Sequence, residues 1–541
     1  MPINQLLKIR VPYLFLIIFW ILACFLAFAG LGDLPLRDFD EGTVARVSFE
    51  LSQKEGIDKL LPTLWGINYL NKPPGIHWLI AKAIQALNQN LIGSNQLPSE
   101  FSIRFAPAFV STFVVPLGGL IQVYLRPKDP IASISTAGIL LTLLPLVRHG
   151  RLAMLDGPML TAIALFWLLL VSLDGSFFDK WRIFGVGIAS SAMLLIKAPL
   201  ILPVLFAASL PIVIEAKNSK LFNIKSIFYY SVGLLPGISW HFWHAIQRGL
   251  GASWLWWGDG AGRVLFQPGS GSDLGWRVPL IEMAEGGWPW LLLLPIGLIW
   301  AWHERNTKWG LWSLSFYFVF AVSIFPLKTQ LPWYSHPLWL PMSVLCGRPF
   351  SWLITRFNSE RLPGRNLLSL LPVLLIALGS LLISLAVLGK TDIFQFFRPY
   401  STIAICAGLG WLLGGSFLLS QFTNKRFLGL LIIISGSFFA LICLMRSPMW
   451  LWELNEHWPV KPVAELVSKA KGDIVALDSS FERPSLNWYA RQRIMTLEDQ
   501  PEASWIITQN VNNFQLLDTA RECKTFDKYQ EWSLIFCEPN P

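Results

Sequence analysis

The chain has 541 residues and a mean hydropathy of +0.49, with 53% hydrophobic and only 14% charged residues. This composition excludes a single soluble globular domain and predicts a polytopic α-helical membrane protein. The net charge of +9 does not indicate a nucleic-acid partner, because Lys and Arg are spread over short loops between apolar segments.

Apolar segments close to the ~20 residues that cross a bilayer recur along most of the chain. Because lipid offers the backbone no hydrogen-bond partners, these segments predict a helical bundle. The first segment lacks a convincing small-residue cleavage site before Asp33, so we interpret it as a retained helix rather than a signal peptide. We predict about thirteen transmembrane helices, near residues 13–31, 101–125, 131–147, 158–173, 183–196, 198–214, 226–246, 287–302, 309–326, 332–347, 367–388, 400–420 and 426–446.

An odd number of spans puts the N-terminus and the C-terminal tail on opposite sides of the membrane. The short loops on the N-terminal side are richer in Lys and Arg than the short turns on the opposite side, which predicts that the N-terminal side is cytoplasmic. We therefore expect an inner (plasma) membrane protein whose loops 33–100 and 247–286 and whose tail face the periplasm. The two short segments joined by Lys197-Ala198-Pro199 are the weak point, because a single span there would invert everything that follows.

The tail differs in composition from the rest of the chain. Short strand-like runs at 473–478, 493–499 and 504–509 alternate with helical stretches at 461–470 and 514–523, which is typical of a small α/β domain. We therefore divide the chain into a transmembrane domain, 1–446, and an extracytoplasmic α/β domain, 447–541. Cys523 and Cys537 lie 14 residues apart in this tail, where both a disulfide and two free thiols fit the spacing.

Asp40 and Glu41 form an acidic pair just after the first span. They begin a segment whose apolar positions fit an amphipathic helix lying in the membrane interface, and a carboxylate there can cap the helix or do chemistry. For Glu41 both roles remain open. Lys72 follows in the turn 71–75, where two prolines would fix the direction of the lysine.

Several charged residues lie at the predicted outer ends of spans, where each is costly unless it faces water or a partner. Arginine gives bidentate contacts to phosphate and lysine gives a point charge, so this set predicts an anionic ligand such as a phosphate. The residues are Lys72, Arg104, Arg151, Asp156, Lys197 and Lys328.

Six short motifs in a fixed order carry a family resemblance. They are DE at 40–41, KPP at 72–74, R-x-x-P at 104–107, R-L-x-M-x-D at 151–156, K-A-P at 197–199 and K-T-Q-L-P-W-Y-x-x-P at 328–337. Together they resemble the GT-C glycosyltransferases that use polyprenyl-phosphate sugars. The resemblance is strongest to the branch with lipid A aminoarabinose transferase and the protein O-mannosyltransferases.

The resemblance implies roles for the matching residues. Asp40 matches the catalytic carboxylate of the family, and Lys72 matches the lysine that contacts the lipid phosphate. The catalytic set is then Asp40, with Glu41 and Asp156, and the donor-phosphate set is Lys72, Arg104, Arg151, Lys197, Lys328 and Tyr334. Asn71 stands where the aminoarabinose branch has a zinc-binding Glu, so no cofactor is implied with certainty and a divalent metal remains open. Thr43-Val44 stands where that branch has Arg-Tyr, which predicts a different acceptor or sugar specificity.

These observations predict sugar transfer from a polyprenyl-phosphate donor to a hydroxyl or phosphate of a lipid, glycan or protein acceptor. Asp40 would orient or deprotonate the acceptor, and single displacement would invert the anomeric carbon. A retaining reaction would need a second carboxylate, for which Asp156 is the candidate. The alternative is a flippase or transporter of lipid-linked sugars, since charges within membrane segments also mark transport paths.

Overall fold

The computed structural model describes residues 3–87, 96–215, 224–256, 258, 262, 277–327, 330–355, 363–451, 459–470, 473–509 and 523–538. The chain forms two compact units. The first, here called the bundle unit, comprises Met1–Gly30, Leu70–Ile76 and Pro107–Trp450. The second, here called the sheet unit, comprises Leu31–Tyr69, His77–Ala106 and Leu451–Pro541.

Helices occupy the positions of all thirteen predicted spans. Their bounds are Ile3–Phe28, Glu100–Thr112 with Val114–Leu125, Pro130–Thr142 with Leu144–Gly150, Asp156–Val171, Asp179–Lys197, Ile201–Glu215, Ile224–Arg248, Leu294–His303, Lys308–Ile324, His336–Thr355, Leu371–Leu388, Ser401–Leu418 and Thr423–Met445. Short helices at Trp254–Trp256, Arg277–Gly286 and Arg365–Leu368 and 3₁₀ turns at Ala198–Leu200, Gly249–Ser253, Trp290–Leu293, Pro332–Ser335, Asp392–Tyr400 and Pro448–Leu451 complete the bundle unit.

Within the described residues, five helical stretches are long and apolar enough to cross a membrane, or six if a pair bent by 56° at residue 143 counts as one span. Shorter apolar helices accompany them at Pro12–Phe28, Asp156–Val171, Trp290–His303 and Lys308–Ile324. The chain is therefore a multi-pass helical membrane protein, as its composition predicts. The number thirteen stays a prediction.

The two ends of the helix Asp156–Val171 fix the direction of its neighbours. At its first residue, Lys197 Nζ donates to the Asp156 carboxylate over 2.9 Å. At its last residue, Lys308 Nζ donates to the Val171 carbonyl over 2.6 Å. Lys197 and Lys308 therefore mark opposite ends of the bundle unit.

The stretch Asp179–Glu215 consists of two antiparallel helices. At Lys197 the backbone leaves the helical region, with φ −152° and ψ 77°, and the following proline cannot continue a regular helix. Glu215, at the far end, accepts a hydrogen bond of 3.1 Å from Trp312 Nε1, one turn after Lys308. The second helix thus returns to the end from which the first one starts, and the predicted turn at 197–199 is confirmed.

Close helix packing in the bundle unit depends on small residues. A Cβ on Gly187 would lie 2.2 Å from the Tyr230 carbonyl oxygen, and a Cβ on Gly233 would lie 2.2 Å from that of Phe184. Such glycine contacts let two backbones approach within the membrane, where no hydrophobic effect drives helices together. They hold Asp179–Lys197 against Ile224–Arg248.

The sheet unit contains a five-stranded mixed sheet with strand order β4-β3-β5-β7-β6. Its strands are β3 (Val475–Leu477), β4 (Met495–Thr496), β5 (Trp505–Thr508), β6 (Cys523–Tyr529) and β7 (Trp532–Cys537), after a hairpin of β1 (Thr63–Leu64) and β2 (Ile67–Asn68). β3 is parallel to β4 and β5, whereas β7 is antiparallel to β5 and β6. The predicted strands near 475, 495 and 505 are confirmed. Cys523 and Cys537 form a disulfide, which is one of the two alternatives that the sequence left open.

The helices of the sheet unit are Asp40–Gln53, Val460–Ser468, Pro484–Ala490 and, from His77 onward, Gly75–Leu87, with a 3₁₀ turn at Gly56–Leu60. The predicted helix at 514–523 lies outside the described residues except for Cys523, which is in a strand. The helix Asp40–Gln53 has the predicted buried apolar positions, and its expected location in the membrane interface stays a prediction. Val47 and Leu51 are buried against Tyr69 and Ala81, so protein covers its apolar face.

Candidate functional site

Asp156 and Lys197 form an ion pair at one end of the bundle unit. The carboxylate is the first residue of its helix and is only 9% exposed, and the helix N-terminus stabilises its negative charge. The Lys197 ammonium, 2.9 Å away, also lies 5.2 Å from the centroid of the Tyr334 ring. Three of the residues predicted from the sequence therefore lie together.

Lys72 joins this group through the turn that carries it. Pro73 and Pro74 restrict the backbone, and Gly75 brings the turn against the helix that ends at Lys197. A Cβ at Gly75 would lie 2.6 Å from the Leu195 carbonyl oxygen, so the close approach needs glycine. The Lys72 ammonium lies within range of a direct electrostatic interaction with Asp156. The result is a carboxylate surrounded by two lysines at the end of the bundle.

A buried polar layer lies beside this group. The His149 and His336 rings are 5.2 Å apart, and the His149 ring is 6.1 Å from that of Trp333. Arg148, buried like the histidines, donates to Glu282 over 3.0 Å. Neither His336 nor the pairing of Arg148 with Glu282 was predicted from the sequence. The only available signal was the proximity of His336 to Tyr334 in the chain.

Arg151 is placed differently from the expectation. Its guanidinium is fully buried, donates to the carbonyl oxygens of Ala29 and Met445, and lies 4.3 Å from the centroid of the Trp450 ring. These contacts join the ends of the first and last long helices. Arg151 therefore has a structural role that is sufficient to explain its burial.

Asp40, the predicted catalytic carboxylate, belongs to the sheet unit. It is half-buried and is the first residue of the helix Asp40–Gln53. Burial raises the pKa of the Tyr69 hydroxyl, and the nearby Asp40 carboxylate raises it further. Tyr69 is therefore a neutral hydroxyl near the carboxylate at neutral pH.

Glu41 and Arg104 form a fully buried pair in the sheet unit. Arg104 donates from Nε and Nη2 to the two carboxylate oxygens of Glu41, over 2.8 and 2.7 Å. Its other three hydrogen bonds go to backbone carbonyls, those of Leu31, Leu34 and Pro35. An arginine has five N–H donors, and these five bonds use all of them. These bonds hold residues 31–41 together, and the predicted contact of Arg104 with a phosphate would require breaking one of them.

The remaining predictions concern Lys328 and a metal. Lys328 lies outside the described residues. Across the described ranges, no group of three or more His, Cys, Asp or Glu side chains is placed to hold a metal ion.

The chain is similar to known transferases. Residues 74–253 match the model of the dolichyl-phosphate-mannose-protein mannosyltransferase family. The undecaprenyl phosphate-alpha-4-amino-4-deoxy-L-arabinose arabinosyl transferase of Serratia proteamaculans is 25% identical over 385 residues, which cover 69% of this chain and 66% of the relative. That of Yersinia enterocolitica is 25% identical over 365 residues, covering 65% and 62%. The chain thus spans just under two thirds of the length of these curated relatives.

Solved structures share the fold. ArnT from Cupriavidus metallidurans, bound to undecaprenyl phosphate, aligns with a TM-score of 0.69 and 14% identity over 96% of this chain and 97% of that one. The archaeal oligosaccharyltransferase AglB from Archaeoglobus fulgidus aligns with a TM-score of 0.53 and 10% identity over 95% and 71%. The predicted GT-C fold and the resemblance carried by the six motifs are confirmed.

Proposed function

We propose that this protein is a membrane glycosyltransferase that moves a sugar from a polyprenyl-phosphate donor to a hydroxyl or phosphate of a lipid, glycan or protein acceptor. One observation carries the proposal. Within a GT-C fold, Lys72, Lys197 and Tyr334 gather around Asp156 at one end of the bundle unit. The ArnT structure of the same fold was solved with undecaprenyl phosphate, the class of lipid that such a cationic group suits.

The lysines stabilise the leaving phosphate in this proposal. Breaking the bond between the sugar and the phosphate leaves negative charge on the phosphate, and fixed ammonium groups lower the energy of that state. Asp156 holds Lys197 in place through their 2.9 Å hydrogen bond. The carboxylate engaged in this way is a poor nucleophile, which favours single displacement with inversion over a double displacement.

Asp40 acts on the acceptor. As a general base it would take the proton of the acceptor hydroxyl while the oxygen attacks the anomeric carbon. The carboxylate is the first residue of a helix, where the helix dipole stabilises negative charge. Glu41 supports the segment in this proposal, and its two hydrogen bonds from Arg104 favour that role over chemistry.

The membrane location extends this proposal. The end of the bundle unit that carries Asp156 would face the periplasm of an inner-membrane protein, because the short loops of the other end are richer in Lys and Arg than the short turns at this end. The domain division at residues 446 and 447 likewise stays a prediction.

The substitution Asp40→Asn tests the proposed function. Removing a positioned general base costs about 10²–10⁴-fold in rate, so we expect transfer from a synthetic polyprenyl-phosphate sugar in proteoliposomes to fall by about that factor. The matched control is Asp33→Asn, an exposed carboxylate of the same unit, which should keep full activity. Undiminished transfer by folded Asp40→Asn would remove Asp40 from the mechanism.

Mass spectrometry of lipids, glycans and proteins from cells with and without the chain identifies the acceptor. If no glycosylated species changed while a lipid-linked sugar changed sides of the membrane, the transporter alternative would replace the enzyme.

A further inference from the structure

Asp38 connects the segment before Asp40 to the C-terminal part of the sheet unit. Its side chain is buried, and one carboxylate oxygen accepts hydrogen bonds from the Ser485 backbone N–H, at 2.9 Å, and from the Ser485 hydroxyl. The other oxygen accepts from Arg483 Nη1 at 3.3 Å. Two residues of the tail therefore hold a carboxylate that is two positions before Asp40.

Tyr489 makes a second connection. Its hydroxyl accepts from the Leu36 N–H over 2.7 Å and donates to Glu100 over 2.9 Å. Burial and the Glu100 carboxylate raise the pKa of Tyr489, so the hydroxyl stays protonated and can make both bonds. Lys461, also in the tail, pairs with Glu100 over 2.6 Å.

The backbones themselves meet on the other side of Asp40. A Cβ on Gly42 would lie 2.5 Å from the Pro484 carbonyl carbon and 2.5 Å from the Ser485 nitrogen. The start of the helix Asp40–Gln53 therefore rests directly on the start of the helix Pro484–Ala490. Residues 36, 38 and 42, which bracket Asp40, are all fixed by the same part of the tail.

The contacts to Asp38 come from the segment that follows the carboxyl end of strand β3. Residues 478–483 follow the carboxyl end of β3, which lies between its two parallel neighbours β4 and β5. In α/β sheets this edge is where ligands usually bind. Here the residues that follow it hold Asp38, a carboxylate of the same chain, so the domain binds part of its own first loop.

We propose that Arg483, Ser485 and Tyr489 are positioning residues for sugar transfer, because they fix the backbone from which Asp40 projects. The α/β domain is then part of the catalytic apparatus and not an independent appendage. The inference rests on the proposed function, in which Asp40 is the base. A misplacement of about 1 Å can cost about 10²-fold in rate without any loss of contact to the substrate.

Ser485→Ala and Tyr489→Phe in the full chain test this inference. Each removes a hydroxyl, and we expect kcat to fall about 10- to 100-fold while the donor KM stays unchanged. Arg493→Gln is the matched control, since Arg493 pairs with Glu482 on the exposed side of the same domain, and its kcat should stay at the wild-type value. Melting temperature and detergent-soluble yield identify any variant that fails to fold. If Ser485→Ala does not fold, Tyr489→Phe, which keeps the aromatic ring, still tests the inference.

A double-mutant cycle with Asp40→Asn separates positioning from general stability. If the tail residues act through Asp40, Ser485→Ala should cause no further loss in the Asp40→Asn background. This inference would be overturned if Asp40→Asn were inactive while Ser485→Ala and Tyr489→Phe kept a normal kcat. That result would leave the proposed function intact. A fully active Asp40→Asn would overturn this inference and the role of Asp40 as the base, whereas a wild-type chain without any transfer would overturn the proposed function.

Discussion

Two adjacent carboxylates, Asp40 and Glu41, have different surroundings in the sheet unit. Glu41 is 1% exposed and shares a bidentate pair with Arg104, whereas Asp40 is half-buried and is accompanied by Tyr69. A buried ion pair with every donor satisfied has little capacity to exchange a proton with a substrate. This difference in burial makes Asp40 the candidate base and Glu41 a candidate structural residue.

Glu41→Gln should destabilise the sheet unit rather than remove the base. Removing one partner of a buried ion pair leaves an uncompensated charge and costs about 3–5 kcal/mol. We expect a lower melting temperature, while transfer per folded molecule falls far less than in Asp40→Asn. The exposed pair of Lys469 and Asp527 provides the control, because Lys469→Gln should leave melting nearly unchanged. A Glu41→Gln protein of normal stability but without transfer would return Glu41 to the catalytic residues.

At the scale of elements, the sequence pattern predicted the helices and strands whose positions follow from the local periodicity of apolar residues. The three strands near 475, 495 and 505 and the helices of the bundle unit appear where apolar runs and turn residues indicate them. The helix Asp40–Gln53 was predicted with its apolar face, but not the partner of that face. Periodicity shows which side of a helix is buried and cannot show whether lipid or protein covers it.

Contacts between distant segments could not be predicted in this way. Asp38 and Ser485 are separated by 447 positions, and neither lies in a motif or a periodic run. Arg104 and Arg151 looked like phosphate ligands because a sequence shows the charge of an arginine but not the backbone carbonyls around it. Lys197 and Tyr334 lie together beside Asp156, as their positions at predicted span ends suggested. Lys72, which belongs to the first outer loop, joins them because that loop was predicted on the same side of the membrane.

Gly42→Ala should disturb the contact between two helices. The added Cβ would meet backbone atoms of Pro484 and Ser485, which cannot rotate away as a side chain can. We expect a loss of about 1–3 kcal/mol in stability and a lower kcat, measured by thermal unfolding and by transfer. Thr43→Ala, one residue along the same helix, should change stability by only about 0.5 kcal/mol. Unchanged melting and transfer in Gly42→Ala would show that this helix start can move without consequence.

At the scale of the whole molecule, the fold is retained although few residues are. The chain aligns over 96% of its length with ArnT from Cupriavidus metallidurans at only 14% identity. A membrane helix needs an apolar surface and a few small residues at its contacts, and many sequences meet those requirements. Identity can therefore be low while the order and direction of the helices persist.

The direction of the helices predicts the location of the tail. Arg151 donates to Ala29, just after the first long helix, and to Met445, the last residue of the final one. Both helices therefore end at the same end of the bundle unit, so the N-terminus and residue 446 belong to opposite ends. With Lys and Arg concentrated in the short loops of the N-terminal side, the tail is expected outside the cytoplasm.

Reporter fusions in a bacterial host test this location. Alkaline phosphatase, which is active only outside the cytoplasm, should be active when fused after residue 541 and inactive when fused after Ser420, before the last long helix.

The disulfide between Cys523 and Cys537 gives a second readout that needs no fusion, because disulfides persist in the periplasm and are reduced in the cytoplasm. In cells lacking periplasmic disulfide formation both thiols should become reactive to alkylation, with Cys346, buried in the bundle, as the unreactive control. An inactive phosphatase on the full chain, together with reduced thiols in wild-type cells, would put the tail in the cytoplasm and reverse the proposed orientation of the site.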